Sequence, residues 1–392
     1  MEPDNKNIID YDNPLAAREG VEVDKRKQME TLKPFLLDPR EDYPEPYYML
    51  EYNGVPFSTI GGIQAMSGQK KNGKSFVFTM LAAAILRGDP NRTRVPTYLP
   101  GLCVPERTIE YLGHEPRVLY VDTEMEKLNS AKVLRRVHWL CGWDLKQPND
   151  RFNILWLKKL PKNDKMPAYK QRFELTKTAI DVLEPDIVFI DGLRDLLQSI
   201  NDEETATMTL DYLSSTAEER HMCIWNALHQ NPKANSDGED AKMRGWTGTE
   251  LGNKVSDTLV SIKNKTASGV IFTVKQVDAR GKDLEDWKFE ITDDVGNLGI
   301  PKIMSVGAVQ QEEKPNFDMS DENINAVVLE QIGSETLGEA TLRERIKRHA
   351  HIGTAKAQEC IVRATNNGVL LKDGKKYSAK SPLFDDKDEN PF

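Results

Sequence analysis

The sequence predicts an α/β protein. A mostly parallel sheet carries helices on both faces, antiparallel strands extend one edge, and a small separate unit follows at the C-terminus. Three observations carry this expectation. Short, nearly all-apolar runs alternate with stretches of helical period, the pattern of strands buried on both faces. From about Asp257 that alternation gives way to a meander: Thr258–Ile262, Gly269–Val277 and Trp287–Ile291. Between the first apolar run and the first long helix lies Gly68-Gln69-Lys70-Lys71-Asn72-Gly73-Lys74-Ser75, which reads G-x-x-x-x-G-K-[ST].

That octapeptide is a phosphate-binding loop by its residue types. Gly68 and Gly73 permit a turn in which successive N–H groups point inward at phosphate oxygens. Lys74 is expected to reach the β- and γ-phosphates of ATP, and the Ser75 hydroxyl to coordinate Mg²⁺. Ile63-Gln64-Ala65-Met66 before it suits a buried strand. Phe76–Leu86 after it, rich in strong helix formers, suits a helix that opens on phosphate. Residues Gly68 through Phe76 are therefore the expected nucleotide contacts.

The remaining core elements follow in order. A proline-dotted segment from Gly88 to Pro116 reads as an irregular surface elaboration. Arg117–Glu124 is a strand ending in acids, and a basic helix with Lys127, Lys132, Arg135 and Arg136 follows it. Phe152–Leu157 is a strand, and Tyr169–Leu183 a helix closed by Glu184-Pro185. Ile187-Val188-Phe189-Ile190-Asp191 is an apolar strand closed by an acid, and Met222–Leu228 another, finishing at His229. Asp191 has the position of a Walker B carboxylate that holds Mg²⁺ through water. Glu124, at the end of a different strand, is placed to orient and deprotonate an attacking water. In AAA+ and many other P-loop ATPases the catalytic acid directly follows the Walker B residue. Here Gly192 follows Asp191, which disfavours that class.

These residues carry a resemblance. Glu124, Asp191 and His229 at successive strand ends are similar to the RecA-like hexameric helicases, within them the phage T7-type, DnaB-type and plasmid RepA-type replicative helicases. His229-Gln230-Asn231-Pro232, Arg244-Gly245 and Ser256-Asp257-Thr258 resemble that family's sensor strand and following loop. Phe272–Gly281 resembles its K-x-R finger strand, although four residues separate Lys275 from Arg280. The likeness spans residues 46 to 300. It implies a RecA-like core, a DNA-dependent ATPase that forms a homo-oligomer, a hexamer, and movement on single-stranded DNA. It also implies that His229 senses the γ-phosphate and that Arg280 or Lys275 acts as a finger in the neighbouring subunit's site. Two loops, Leu193–Thr209 and Pro232–Thr249 with Lys233, Lys242 and Arg244, become candidates to grip the strand. Trp246 is expected in the core rather than stacked on a base. The other function considered is a regulatory or assembly ATPase, resembling KaiC or plasmid-control proteins, that binds without unwinding.

Composition sets the outer bounds. The chain has 392 residues, 39% hydrophobic and 29% charged, an ordinary soluble balance. A net charge of -9 argues against a surface coated with nucleic acid, though not against a local basic track. Cys103, Cys141, Cys223 and Cys360 lie far apart without a C-x-x-C pair, which argues against zinc and disulfides and for a reducing cytoplasm. No run reaches membrane-spanning length.

Domain organisation is expected as an N-terminal arm over 1–45, the ATPase domain over 46–305, a linker over 306–321, a winged-helix domain over 322–380 and an acidic tail from 381. The arm holds a short helix over Val23–Leu37, interrupted by Pro34, and either packs on its own domain or docks on a neighbour. In the winged helix, three helical periods precede a hairpin at Asp373-Gly374. Its basic residues, Arg343, Arg345, Lys347, Arg348, Lys356, Arg363, Lys372, Lys375 and Lys376, suit duplex DNA, while interleaved acids suit a protein partner.

Overall fold

In the computed structural model the described residues are 25–231, 242–266, 269–304, 317–350 and 352–380. Expectations for the first part of the arm, for Lys233, for most of the linker and for the acidic tail lie outside them. The chain forms two compact units, Met1–Ile303 and Met304–Phe392.

The first unit opens with α1 (25–32), which passes into a 3₁₀ turn at Lys33–Phe35 where Pro34 removes a backbone donor. Next come β1 (Tyr48–Tyr52), β2 (Val55–Thr59), β3 (Ile63–Gly68), α2 (Lys74–Leu86), α3 (Val95–Tyr98), β4 (Leu102–Cys103) and α4 (Glu106–Leu112). The chain continues through β5 (Val118–Asp122), α5 (Lys127–Leu140), β6 (Phe152–Trp156), α6 (Ala168–Leu183), β7 (Ile187–Asp191), α7 (Glu203–Glu219), β8 (Cys223–His229) and α8 (Gly245–Lys254). It ends with β9 (Asp257–Thr266), β10 (Gly269–Ala279), β11 (Trp287–Thr292) and β12 (Ile300–Ile303).

Nine strands form one sheet in the order β12-β11-β10-β9-β3-β8-β7-β5-β6. From β9 to β6 neighbours run parallel, and from β9 to β12 they run antiparallel. Strands β5 and β7 are apolar up to their closing acids because alternate side chains enter two different cores. Val118 and Tyr120 of β5 join α2 and α5 on one face. Leu119 and Val121 join α6, α7 and α8 on the other. On the α2 face Phe78 sits among Tyr120, Phe189 and Trp225, with ring centroids at 6.1, 4.9 and 6.4 Å. Each such ring contributes about 1.5–3 kcal/mol when fully buried.

Register decides what meets at the sheet's edge. Gly68 lies opposite His229, and Asp191 lies opposite both Asp122 and Ala227, so the functional strand ends are level.

Several connections are more ordered than expected. The proline-dotted segment holds α3, β4 and α4, and β4 pairs with β1, whose hairpin with β2 is also additional. The expected loop 193–209 contains the start of α7, since the Asp202 side chain caps it by accepting from the Thr205 N–H at 2.8 Å, with Leu210 and Leu213 buried. Likewise the end of the expected loop 232–249 is α8. Trp246 in its first turn is 41% exposed, so it is not a core residue.

In the second unit α9 (Asp321–Ile332), β13 (Leu337–Gly338), α10 (Glu339–Ala350), α11 (Thr354–Asn366), β14 (Leu370–Asp373) and β15 (Lys376–Ala379) surround Ile324, Val328, Leu342, Ile346, Ile361 and Tyr377. Its sheet runs β13-β15-β14. Asp373 pairs with Lys376, so the turn is Gly374-Lys375, with glycine (φ 59°) at the first central position. Among the described residues no helix is long and apolar enough to cross a membrane.

Candidate active site

The loop from Gly68 to Ser75 is held by packing as much as by its own conformation. A Cβ at Gly68 would stand 2.7 Å from the Ser261 carbonyl oxygen, and one at Gly73 (φ 89°) 2.7 Å from the Phe272 ring. Neither contact is tolerable, so β9 and β10 require both glycines. The Ser261 hydroxyl donates to the Asn72 carbonyl and ties the loop to β9. The loop ends on the N-terminus of α2, where unpaired N–H groups and the helix dipole favour an anion.

Lys74 is buried. Its Nζ donates to the carbonyls of Gly68 (3.1 Å) and Gln69 (3.3 Å) and to His229 Nδ1 (2.9 Å). Burial pulls its pKa down, and the Asp191 and Glu124 carboxylates oppose that shift. The Ser75 hydroxyl donates to Asp191 Oδ2 at 2.6 Å, and the Tyr120 hydroxyl donates to the same oxygen at 2.7 Å. Burial raises the Asp191 pKa, while these two hydrogen bonds work the other way. Such an oxygen set, a hydroxyl beside a carboxylate, fits Mg²⁺ completed by water and phosphate oxygens.

Glu124 sits two residues beyond β5 in a turn built by Asp122. One Asp122 oxygen accepts from the N–H groups of Glu124 (3.0 Å) and Met125 (2.9 Å), and the other accepts from the Ser130 hydroxyl. Thr123 Oγ1 donates to the Gly192 carbonyl at 3.0 Å. A Cβ at Gly192 (φ 111°) would lie 2.1 Å from Thr123 Oγ1 and 2.8 Å from Glu124 Cγ. The position after Asp191 therefore cannot carry an acid, because Glu124 occupies that space. Glu124 Oε1 stands 3.5 Å from His229 Nε2. With Nδ1 accepting from Lys74, the neutral imidazole carries its proton on Nε2, facing Glu124. The hydrogen bond from His229 is the main reason that the Glu124 pKa lies below the usual glutamate range.

These groups line one cleft of about 460 Å³. Its other wall holds residues that no motif marked. Arg136 lies over the Phe76 ring at 4.3 Å and donates to the Leu298 carbonyl at 2.9 Å. Burial pulls its pKa down to about 10. Lys263, Phe272 and Ile291 complete the lining. Tyr120, Asp122 and Gly192 were also missed. Only the acid at the end of an apolar strand could have hinted at Asp122.

The two finger candidates lie outside this cleft and apart from each other. Lys275 pairs opposite Val260, which is level with Ser67, and forms an ion pair with Asp286 at 3.3 Å. Arg280 follows the far end of β10, where its N–H donates to the Ser256 carbonyl. Five residue steps along the chain, at about 3.3 Å each, separate them by roughly 17 Å. Lys242 and Arg244 are exposed, and the Arg244 N–H donates to the His229 carbonyl at 2.9 Å.

Fold and site together are those of a P-loop protein, with the glycine-rich loop between β3 and α2 at the C-terminal edge of a mostly parallel sheet. A family model described as an AAA domain matches residues 57–236, which include the loop, Glu124, Asp191 and His229. The expectation from Gly192 that the AAA+ class is disfavoured stands against this match, which covers less than half of the chain. No curated protein matches the chain. Among solved structures, a KaiC-like protein from the hyperthermophilic archaeon Pyrococcus horikoshii OT3 is similar at 12% identity and a TM-score of 0.40, covering 64% of this chain and 92% of that one.

Proposed function

We propose that the protein is a Mg²⁺-dependent ATPase that couples hydrolysis to a DNA strand, as a homo-hexameric replicative or mobile-element helicase in the cytoplasm. One observation carries the ATPase reading. Lys74, Ser75, Asp191, Glu124 and His229, drawn from three strand ends and one helix start, converge on a single cleft. ATP binds with its phosphates on the Gly68–Phe76 backbone and Lys74. Ser75 and Asp191 would hold Mg²⁺, which would supply charge neutralisation at the transferred phosphoryl group. Glu124 orients the attacking water and accepts its proton, a role that its place in the cleft facing His229 supports.

Coupling rests on His229. Its ring contacts Lys74 and faces Glu124, while its carbonyl accepts from Arg244 in the segment with Lys242. A change at the γ-phosphate thereby reaches a basic exposed segment through one residue. Lys275 or Arg280 serves the neighbouring subunit's site in this reading, since neither lies in the cleft of its own chain. The test is steady-state ATPase with and without single-stranded DNA across a salt series. Strong, salt-sensitive stimulation is expected, and an unchanged rate would remove the helicase reading while leaving the ATPase intact.

The second unit favours the alternative, a regulatory or assembly ATPase that docks a protein. Arg345 faces Glu335 (3.0 Å), Lys347 faces Glu344 (3.5 Å), and Arg363 faces Asp321 and Glu359. Cations already paired this way are weak phosphate ligands, which leaves Arg348, Lys356, Lys375 and Lys376 for a duplex.

A further inference from the structure

Asp191 is held from two sides at one oxygen. Ser75 Oγ donates to its Oδ2 at 2.6 Å, and Tyr120 Oη donates to the same atom at 2.7 Å. The two donors differ in what else they can do. Ser75 lies in the first turn of α2, and its own oxygen is an expected ligand of Mg²⁺, so its position follows the metal. Tyr120 lies inside β5, fully buried and outside the set of side chains that line the nucleotide cleft. Its grip on Asp191 is independent of whatever the cleft holds.

Strand register explains how a residue of the strand interior reaches a strand end. Tyr120 pairs with Phe189 of β7, and Asp191 lies two residues further along β7. Side chains two apart share a face, so Phe189 and Asp191 both stand on the α2 side with Tyr120. There the phenol ring is fixed between Phe78 and Phe189, with centroids at 6.1 and 6.4 Å.

Packing alone does not call for the hydroxyl. Phe189, at the paired position of β7, shows that the core at this level accepts a plain phenyl ring. A phenol oxygen is costly to bury without a partner, and Asp191 is the acceptor that this one has. The carboxylate gains orientation in return. The terminal torsion of an aspartate is broad, so a single donor leaves the carboxylate plane free to turn. A second donor on Oδ2, mounted on a locked ring, fixes that plane and leaves Oδ1 to serve the metal's water.

We propose, on the reading of this cleft as a Mg²⁺–ATP site, that Tyr120 is a positioning residue for the cation. It touches neither metal nor nucleotide, and holds Asp191 in the orientation that receives Mg²⁺. Groups that orient a metal-holding side chain in this way are commonly worth about 10–100-fold in metal affinity.

The test measures binding rather than turnover. The affinity of a fluorescent, non-hydrolysable ATP analogue is followed by anisotropy across a series of free Mg²⁺ concentrations. Wild type, Tyr120→Phe, Asp191→Asn and the double variant are compared. Tyr120→Phe deletes one oxygen and keeps the ring contacts. Its half-saturating Mg²⁺ concentration is expected to rise about tenfold over wild type. Nucleotide affinity in chelator should stay unchanged, which also reports an intact phosphate loop. In the Asp191→Asn background the same change should move the midpoint by less than about twofold, because the hydroxyl then has no carboxylate to hold. An unshifted midpoint in Tyr120→Phe, or an equal shift in both backgrounds, would overturn the proposal and leave the Mg²⁺–ATP reading intact. A loss of nucleotide affinity of one size at every Mg²⁺ level would also overturn it, since that belongs to packing. Wild-type binding that ignores Mg²⁺ altogether would instead remove the reading underneath, and the role of Tyr120 with it.

Discussion

The parallel half of the sheet and its antiparallel edge treat charge in opposite ways. At the ends of β3, β5, β7 and β8 charged groups are drawn inward and satisfied by backbone groups, hydroxyls and an imidazole. Lys74, Asp191 and Asp122 are all nearly inaccessible, yet each has two or more hydrogen-bond partners. Along β10, Lys275 and Arg280 lie at separate levels, and Lys275 is paired with Asp286 rather than aimed at the cleft. The difference teaches that the groups at the parallel strand ends converge on one cleft, whereas the two finger candidates stand outside it. A parallel strand delivers its C-terminal end to the same edge as its neighbours, whereas an antiparallel strand spreads its residues along the sheet.

The largest effect should come from the parallel half. Lys74→Ala removes a buried cation and is expected to lower ATP turnover by about 10³-fold, as loss of a preorganised charge contact does. Chelation of divalent metal should be comparably severe and reversed by added Mg²⁺. Glu124→Gln is expected to keep ATP affinity while single-turnover hydrolysis falls by about 10²–10⁴-fold. Near-normal hydrolysis would mean that the base lies elsewhere.

The antiparallel edge is tested by mixing. Subunits with Lys275→Ala or Arg280→Ala, titrated into wild type, should inhibit more than in proportion for the residue that reaches a neighbour and only dilute for the other. Their separation along β10 makes equal poisoning by both the result that would break the comparison.

Smaller effects sharpen it. Gly192→Ala places a methyl against Thr123 and Glu124 at a left-handed φ, and should destabilise the protein by about 1–3 kcal/mol. Thermal unfolding would read this, with loss of activity accompanying it as Glu124 moves. His229→Ala removes the main group that lowers the Glu124 pKa. A carboxylate with a depressed pKa works as a base down to lower pH, so the acid limb of the pH–rate profile should shift upward in the variant. An unmoved limb would separate His229 from the base.

Much of this site was legible from local sequence. Walker A announces itself because backbone conformation, cation and hydroxyl all fall within eight residues. Asp191 and Glu124 were marked by acids that close apolar strands. Arg136, Tyr120 and Gly192 carried no such mark, since an arginine on a basic helix, a tyrosine inside a strand and a glycine after an acid are each common. What singles them out is a ring, a carboxylate or a missing Cβ contributed by a distant segment. The expected loop at 193–209 failed for a similar reason. Asp202 reads as one more polar loop residue until its carboxylate is seen to cap a helix whose apolar face closes the second core.

The amino-acid sequence by itself determined the alternation of the core strands and helices, the phosphate loop and the acids at strand ends, because each follows from period, turn chemistry and spacing along the chain. Only the tertiary structure decided which acid shares the cleft with Lys74, why Gly192 must lack a side chain, and that Lys275 and Arg280 stand at different levels. Those facts depend on strand register and on the approach of atoms far apart in sequence, which no local pattern encodes.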